Sequence, residues 1–276
     1  MKYVLATQAD FFIIHLVCKK MKDYNLKPLC SLHGDFSDDQ ILAFLASMKV
    51  EGPKGWKLSI TIEGQTRDVQ NPWEEIEGEL QRSAKITGIG LMLILWHGGI
   101  QWESIVFRGI RLGNRVLDIG DRGTCLQNLQ VLELSNCDGY SSTGFLNFAR
   151  ANVSSNAALR SLQVLRIQPL HRGQLHDRVS DRIFMSFQRL TALRELELRR
   201  CAEISDDGLR SYYTFQPDTW LALPAWDISE VRARLGQYVK VTLVDCDNIT
   251  PLCVQELREQ YPEIYLELRK TSDEIA

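Results

Sequence analysis

A spaced leucine pattern recurs in the second half of the chain, and it limits the folds that the chain can adopt. Residues 129–137 (LQVLELSNC) follow the pattern L-x-x-L-x-L-x-x-C, which returns at residues 193–201 (LRELELRRC). It returns again at residues 238–246 (YVKVTLVDC), and residues 162–170 (LQVLRIQPL) keep the spacing with leucine in the place of cysteine. Self-similarity of this kind predicts a fold built from stacked copies of one supersecondary unit.

The residues after each cysteine are as regular as those before it. A Ser or Thr stands four positions after the cysteine, a small residue seven positions after it and an apolar residue eight positions after it. These are Ser141, Gly144 and Phe145, then Ser205, Gly208 and Leu209, then Thr250, Cys253 and Val254. The L-x-L core alternates with period two and predicts a short strand with one buried face. The hydroxyl is placed to cap a helix, and Asp206 and Asp207 then suit the positive end of that helix.

At these residues the chain resembles the cysteine-containing class of leucine-rich repeats, whose pattern reads roughly L-x-x-L-x-L-x-x-C-x-x-I-T-D-x-G-L. Residues 193–209 (LRELELRRCAEISDDGL) match it closely, and residues 239–250 (VKVTLVDCDNIT) match it less fully. The resemblance implies an α/β leucine-rich-repeat solenoid, curved, with parallel strands on the concave face and helices on the convex face. Regular repeats are predicted over residues 126–268.

The leucine-rich-repeat domain is predicted to extend over residues 25–276. Residues 25–125 are interpreted as irregular repeats, because Leu26, Leu29 and Leu32 followed by Ser37 give the order of strand, cap and helix. Residues 56–64 (WKLSITIEG) and 90–99 (GLMLILWHGG) are expected to form two further strands. An insertion at about residues 213–236 lengthens one regular repeat.

Residues 4–24 (VLATQADFFIIHLVCKKMKDY) repeat nothing downstream. They resemble the second half of an F-box at Asp10, Phe11, Leu16, Val17, Cys18 and Lys19. An F-box followed by leucine-rich repeats implies the substrate receptor of an SCF-type ubiquitin ligase, which here would dock on a Skp-type adaptor through the segment from Asp10 to Tyr24. The first half of an F-box has no counterpart, so residues 1–24 are either a partial F-box or an N-terminal capping helix.

The side chains between the inward leucines are predicted to line the concave face. Neighbouring strands lie about 4.8 Å apart, so Glu133, Arg166 and Glu197 could form a ladder of alternating charge. Such a ladder either binds a protein partner or only pairs with itself and keeps the sheet soluble. In the insertion, Trp220 and Trp226 are of the type that anchors interfaces or else pack as local core. The predicted protein-binding residues are Glu133, Ser135, Arg166, Gln168, Glu195, Glu197, Arg199, Lys240, Thr242, Trp220 and Trp226.

Composition argues against several other functions. The net charge is −3 and the isoelectric point is about 6.0, so we expect neither a nucleic-acid surface nor a membrane surface. The chain has seven cysteines and no CxxC pair, which favours a reducing compartment, cytoplasmic or nuclear, and no metal site. The apolar run from Phe11 to Cys18 is too short to span a bilayer. No cofactor is expected.

One motif suggests an enzyme. Residues 115–124 (RVLDIGDRGT) resemble the first motif of class I methyltransferases, but Asp121 and Arg122 fill the space between Gly120 and Gly123 that a ligand would need. Glycine motifs without a strand–turn–helix context are weak evidence, so we expect the chain not to be an enzyme. The alternatives to an SCF substrate receptor are therefore a leucine-rich-repeat binding or regulatory protein unrelated to ubiquitination and, less favoured, a methyltransferase-like enzyme.

Overall fold

Nine parallel strands form a single sheet in the part of the chain that the structure describes. The computed structural model describes residues 2–4, 30–34, 37–42, 58–63, 88–96, 102–110, 112, 117, 126, 128–137, 139–146, 161–169, 179–187, 190, 192–214 and 239–271. The strands are β1 (Lys2–Val4), β2 (Cys30–Gly34), β3 (Leu58–Glu63), β4 (Trp102–Arg108), β5 (Val131–Cys137), β6 (Val164–Pro169), β7 (Glu195–Arg199), β8 (Lys240–Val244) and β9 (Tyr265–Arg269). The helices are α1 (Gly88–Trp96), α2 (Ile183–Phe187), α3 (Asp206–Thr214) and α4 (Pro251–Gln260). Residues 38–42 and 142–146 are also helical.

Each strand pairs in parallel with the strand that follows it in the chain. The register places the leucine of one copy beside that of the next, as in the pairs Leu132 with Leu165 and Leu165 with Leu196. Parallel neighbours need a crossover connection, which is usually helical. The prediction of an α/β fold with parallel strands is therefore confirmed, and its units follow one another along one open sheet.

The core lies on one side of this sheet. Leu132, Leu134, Leu196 and Leu198 are almost fully buried. The helices contribute the other half of the same cluster: Phe184, Phe187, Leu209, Tyr212, Val254 and Leu257. Burying one such side chain stabilises the fold by about 1.5–3 kcal/mol. The period-two pattern in the sequence thus selects the face on which the helices pack.

A left-handed residue turns the chain directly before Cys137, Cys201 and Cys246. Asn136, Arg200 and Asp245 have φ angles of 52°, 54° and 52°. The next residue, a cysteine, then points into the core, where the Sγ of Cys137 lies 3.2 Å from the carbonyl oxygen of Phe107 on the preceding strand. This weak hydrogen bond suits a small, slightly polar core residue.

The predicted helix caps are confirmed at Ser37, Ser205 and Thr250. Thr250 is the N-cap of α4, and its hydroxyl oxygen accepts a hydrogen bond of 3.1 Å from the backbone N–H of Cys253. The hydroxyl of Ser205 accepts in the same way from the N–H of Gly208 at 3.3 Å. Ser37 accepts from the N–H of Gln40, whose side chain accepts in return from the N–H of Ser37. The last pair is a capping box, which satisfies two orphan donors at once.

A second set of hydrogen bonds ties two of these caps, Ser205 and Thr250, to the preceding unit. The N–H and Oγ–H of Ser205 donate to the Asp181 carboxylate at 2.7 and 2.6 Å. The N–H and Oγ1–H of Thr250 donate to the Asp206 carboxylate at 2.8 and 2.7 Å. Asp206 thus does more than the predicted interaction with its own helix, because it also joins α3 to the start of α4.

One segment differs from its predicted structure. Residues 90–99 were expected to form a strand, but this prediction is wrong: α1 covers Gly88–Trp96, and the strand is β4, immediately afterwards. A continuous apolar run without alternation fits a buried helix as well as a buried strand. The indole N–H of Trp102 on β4 donates to the carbonyl oxygen of Ile94 at 2.8 Å, which fixes the end of the helix against the strand. The strand predicted in residues 56–64 is confirmed as β3.

Other predictions fall wholly or mainly outside the described residues. The F-box-like segment from Asp10 to Tyr24 is one, although Lys2–Val4 before it forms β1. The insertion is another, since only its first residues, at the end of α3, are described. In the methyltransferase-like motif, Leu117 alone is described, as a buried residue.

Candidate functional site

The face of the sheet opposite the helices is polar and only partly buried. It is formed by the residues that alternate with the buried leucines, as the strand burial patterns show for β5, β6 and β7. We call this surface the open face. Its polar, charged and aromatic residues include Glu63, Arg108, Glu133, Ser135, Arg166, Gln168, Glu195, Glu197, Arg199, Lys240, Tyr265, Glu267 and Arg269.

A ladder of ion pairs crosses the open face from β3 to β7. Arg108 lies 3.5 Å from Glu63 on one side and 3.0 Å from Glu133 on the other. Arg166 continues the ladder, at 3.6 Å from Glu133 and 2.8 Å from Glu195. The parallel register produces this alternation, since Glu63 faces Arg108 and Glu133 faces Arg166 in neighbouring strands.

Arg166 is the centre of the ladder. Its guanidinium contacts Glu133, Glu195 and Glu197, the last at 3.6 Å. Burial lowers the pKa of Arg166, but the hydrogen bond and charge of Glu195, helped by Glu197 and Glu133, outweigh it, so the pKa is raised above its ordinary value. Arg166 therefore keeps its positive charge in the presence of three carboxylates.

The arginine side chains of the ladder are more exposed to solvent than two of its glutamates. The side chains of Arg108, Arg166 and Arg199 are 48, 38 and 40% exposed, whereas those of Glu133 and Glu197 are 13 and 15% exposed. The carboxylates of Glu133 and Glu197 are therefore covered more than the guanidinium groups beside them, whereas Glu63 and Glu195 are 41 and 32% exposed. A molecule approaching the sheet above Glu133 and Glu197 meets arginine first.

The C-terminal part of the open face adds an aromatic residue. The Nζ of Lys240 lies 5.1 Å from the centre of the Tyr265 ring, which is within the range of a cation–π contact. Tyr265 is 55% exposed. Beside it on β9, Arg269 donates to Glu267 at 2.6 and 2.9 Å, and this hydrogen bond is the main reason that the pKa of Glu267 is lowered.

The structure brings most of the predicted residues together. The predicted ladder of Glu133, Arg166 and Glu197 is confirmed, and Glu195 and Arg199 join it. Within the same surface, the Ser135 hydroxyl donates to Glu133 at 2.9 Å.

The remaining predicted residues have different surroundings. The Gln168 amide donates to the Oδ1 of Asn136 at 2.6 Å. Thr242 is only 5% exposed, because it lies in register between the long side chains of Glu197 and Glu267. It therefore offers a partner almost no surface. Trp220 and Trp226 lie outside the described residues, so their role remains a prediction.

Sequence reasoning missed several members of the open face. Glu267 and Arg269 alternate with Leu266 and Leu268, so the same L-x-L core would have revealed them as a further copy. Arg108 was missed because β4 was not recognised as a strand. No sequence feature identified Tyr265 as a surface residue of this face, since a single tyrosine beside a leucine is common.

Metal-binding clusters and membrane-spanning helices are absent from the described residues. Among the described residues, no group of three or more His, Cys, Asp or Glu side chains could hold a metal ion. In the same part of the chain, no helix has the length and apolar character needed to cross a membrane. Comparison with protein-family models gives no match, and comparison with curated proteins finds no significant relative. The candidate site is therefore defined by the geometry of the open face itself.

Proposed function

We propose that this chain is a leucine-rich-repeat protein that binds another protein on its open face. The observation that carries this proposal is the sequential order of the parallel strands, with one face covered by helices and the other left open. In a repeat solenoid the uncovered sheet becomes the concave surface, which is the usual place for a partner. Arginine and tyrosine, the exposed residue types here, are also the types that dominate binding energy at interfaces.

A narrower proposal concerns ubiquitination. The residues from Asp10 to Lys19 support a role as the substrate receptor of an SCF-type ligase, with a Skp-type adaptor bound at the N-terminal segment and the substrate on the open face. Cytoplasm or nucleus is the compartment that this role requires.

One observation favours a second candidate, a repeat protein with another binding or regulatory role. β1 precedes the F-box-like segment and pairs in parallel with β2. Residues 5–29 therefore connect two neighbouring strands of the sheet, which is where the helix of a repeat belongs. On this candidate, the segment is the connection of a first repeat and not a separate adaptor-binding module.

The strand order gives no support to a methyltransferase-like enzyme. Doubly wound α/β sheets bind cofactors where the strand order reverses. The described strands follow the chain from β1 to β9 without such a reversal. We therefore prefer protein binding to catalysis.

Site-specific photo-crosslinking in cells tests the binding proposal. A photo-reactive residue would replace Gln168 on the open face or, as the control, Asp207 on α3, whose side chain is 94% exposed. We expect a defined protein to be crosslinked from position 168 and not from position 207. Crosslinking from position 207 alone would contradict the proposal.

Co-expression with a Skp-type adaptor separates the two candidates. Co-elution of the adaptor with the full chain in size-exclusion chromatography would support the ubiquitin-ligase role. Separate elution, together with crosslinking from position 168, would support a binding protein of another pathway.

A further inference from the structure

We propose that the partner contacts the open face through an extended acidic segment, whose carboxylates bind the exposed guanidinium groups of Arg108, Arg166 and Arg199. This inference rests on the proposed function, and it adds the chemical class of the partner. Three features of the open face support it: the order of charges with depth, the spacing of the arginines and the fork geometry of the guanidinium group.

The first feature is the order of charges with depth. The charged residues of the open face include five glutamates, four arginines and one lysine, so their formal charges cancel. Their exposure differs, because the side chains of Arg108 and Arg166 are 48 and 38% exposed, while that of Glu133 between them is 13% exposed. Glu63 and Glu195 are 41 and 32% exposed, so it is above Glu133 and Glu197 that an approaching carboxylate meets guanidinium groups first.

The second feature is spacing. Arg108 on β4 and Arg166 on β6 are two strands apart, which corresponds to about 10 Å between the strands, and Arg108 lies two residues further along than Val106, the residue in register with Arg166. Arg199 lies on the next strand, β7, two residues further along than the partner of Arg166. In an extended segment, residues three apart are also separated by about 10 Å. A segment running across the strands can therefore place a carboxylate at each arginine in turn.

The third feature is the chemistry of the guanidinium group. Arginine has five N–H donors in a planar fork, so some of its N–H groups can donate to one carboxylate while others donate to a second. Arg108 directs its Nε and one Nη to the same oxygen of Glu133, at 3.1 and 3.0 Å. A lysine ammonium has no such fork, so it binds carboxylates with less geometric definition.

Fluorescence anisotropy with the full chain tests the inference. The probes are three labelled peptides of equal length that carry Glu, Gln or Lys at every third position, with Gly and Ser elsewhere. We expect the Glu peptide to bind most tightly, and we expect its affinity to fall as the salt concentration rises. Equal binding of the Glu and Gln peptides would overturn the inference, and so would a preference for the Lys peptide.

Two variants give effects of opposite sign. Arg166→Lys keeps the charge but loses the fork, and should weaken binding of the Glu peptide about three- to five-fold. Glu195→Gln removes a competing carboxylate 2.8 Å from Arg166 and should strengthen binding by a similar factor. Thermal unfolding of both variants and of the wild type shows whether a change in affinity arises from a change in folding.

A matched pair on the helical side serves as the control. Arg210 and Glu256 join α3 to α4 at 2.9 Å, so Arg210→Lys and Glu256→Gln make the same chemical changes away from the open face. Neither should change the affinity for the Glu peptide. If both control variants act as strongly as those on the open face, the inference is wrong.

Failure of this inference can be distinguished from failure of the proposed function. With the photo-reactive residue at position 168, crosslinking to the Lys or Gln peptide but not to the Glu peptide would leave the open face as a binding surface and overturn only its acidic partner. Absence of crosslinks both to the peptides and to cellular proteins would count against the proposed function as well.

Discussion

Gly208 lies against a side chain of the preceding unit, and this contact explains why the repeat needs a small residue there. A Cβ atom on Gly208 would come within 2.0 Å of the Oδ1 of Asp181. That carboxylate cannot move freely, because it accepts two hydrogen bonds from Ser205. The small residue thus lies directly against the acid that ties two units together.

Gly208→Ala should therefore destabilise the protein, although alanine favours helices. We expect a loss of about 1–3 kcal/mol in the free energy of unfolding, as for other overpacked sites, measured by denaturant titration. In an Asp181→Gly background, which also removes the Asp181 Cβ that would lie 2.6 Å from the new Cβ, the same substitution should cost much less. Equal effects in both backgrounds would show that the contact with Asp181 is not the cause.

Arg200 occupies a backbone conformation that arginine seldom adopts. Its φ of 54° matches that of Asn136 and Asp245 at the same place in other units, and Asn and Asp tolerate this region better than most residues. Arg200 is 4.0 Å from Asp245 and half exposed, so its ion pair contributes little.

Arg200→Asn should relieve this strain. We expect the free energy of unfolding to rise by about 1 kcal/mol, measured by chemical denaturation. Arg194→Asn, at an exposed position with an ordinary φ, is the control and should not stabilise the protein. A fall in stability for Arg200→Asn would indicate that the contact with Asp245 outweighs the backbone strain.

At the scale of elements, consecutive helices are joined by their caps. Asp206 begins α3, and its carboxylate accepts both the N–H and the hydroxyl of Thr250, the N-cap of α4. Asp181 has the same relation to Ser205. A cap in this protein therefore satisfies its own helix and also fixes the distance to the preceding one.

Asp206→Ala should remove the two hydrogen bonds that join α3 to the start of α4. We expect the free energy of unfolding to fall by about 1–2 kcal/mol, which is typical of a lost cap or a lost charged hydrogen bond. Thermal unfolding should show this as a lower melting temperature. The control is Asp207→Ala, because Asp207 is in the same helical turn but is 94% exposed and should change stability by less than about 0.5 kcal/mol. Equal losses in the two variants would mean that only the helix dipole matters.

At the scale of the whole molecule, the units form a row in which each contacts mainly its neighbours. The strand pairs follow one another from β1 to β9, and the core cluster runs along the row. Stability in such an arrangement is approximately a sum of units and nearest-neighbour contacts. A surface that extends over many units, such as the charge ladder, can then bind one long partner.

The sequence predicted those parts of the fold in which a periodic pattern coincides with a local cap. The strands around Leu132, Leu165 and Leu196 were predicted together with their register, because both depend on the same spacing. The order of α1 and β4 was not predicted, since a long apolar run has no period that distinguishes helix from strand. Tertiary contacts, such as the hydrogen bond from Trp102 to Ile94, determine which segment is the helix and which is the strand.

The open face was only partly predictable. The positions of Glu133 and Arg166 follow from alternation, but their exposure does not, because it depends on which side chain lies over the other. The burial of Thr242 has the same origin: a short side chain lies low between Glu197 and Glu267 on its neighbours. Alternation identifies a face, and side-chain length determines what that face presents.

The most direct test of the central claim is to block the open face and to measure the affinity for the protein crosslinked from position 168. Gln168→Trp adds a bulky group between Arg166 and the rim of the sheet, and Asp207→Trp adds the same group on α3. We predict at least a tenfold loss of affinity, about 1.4 kcal/mol, for Gln168→Trp and no change for Asp207→Trp, with both proteins folded. Unchanged affinity for Gln168→Trp would contradict the assignment of the open face as the binding surface.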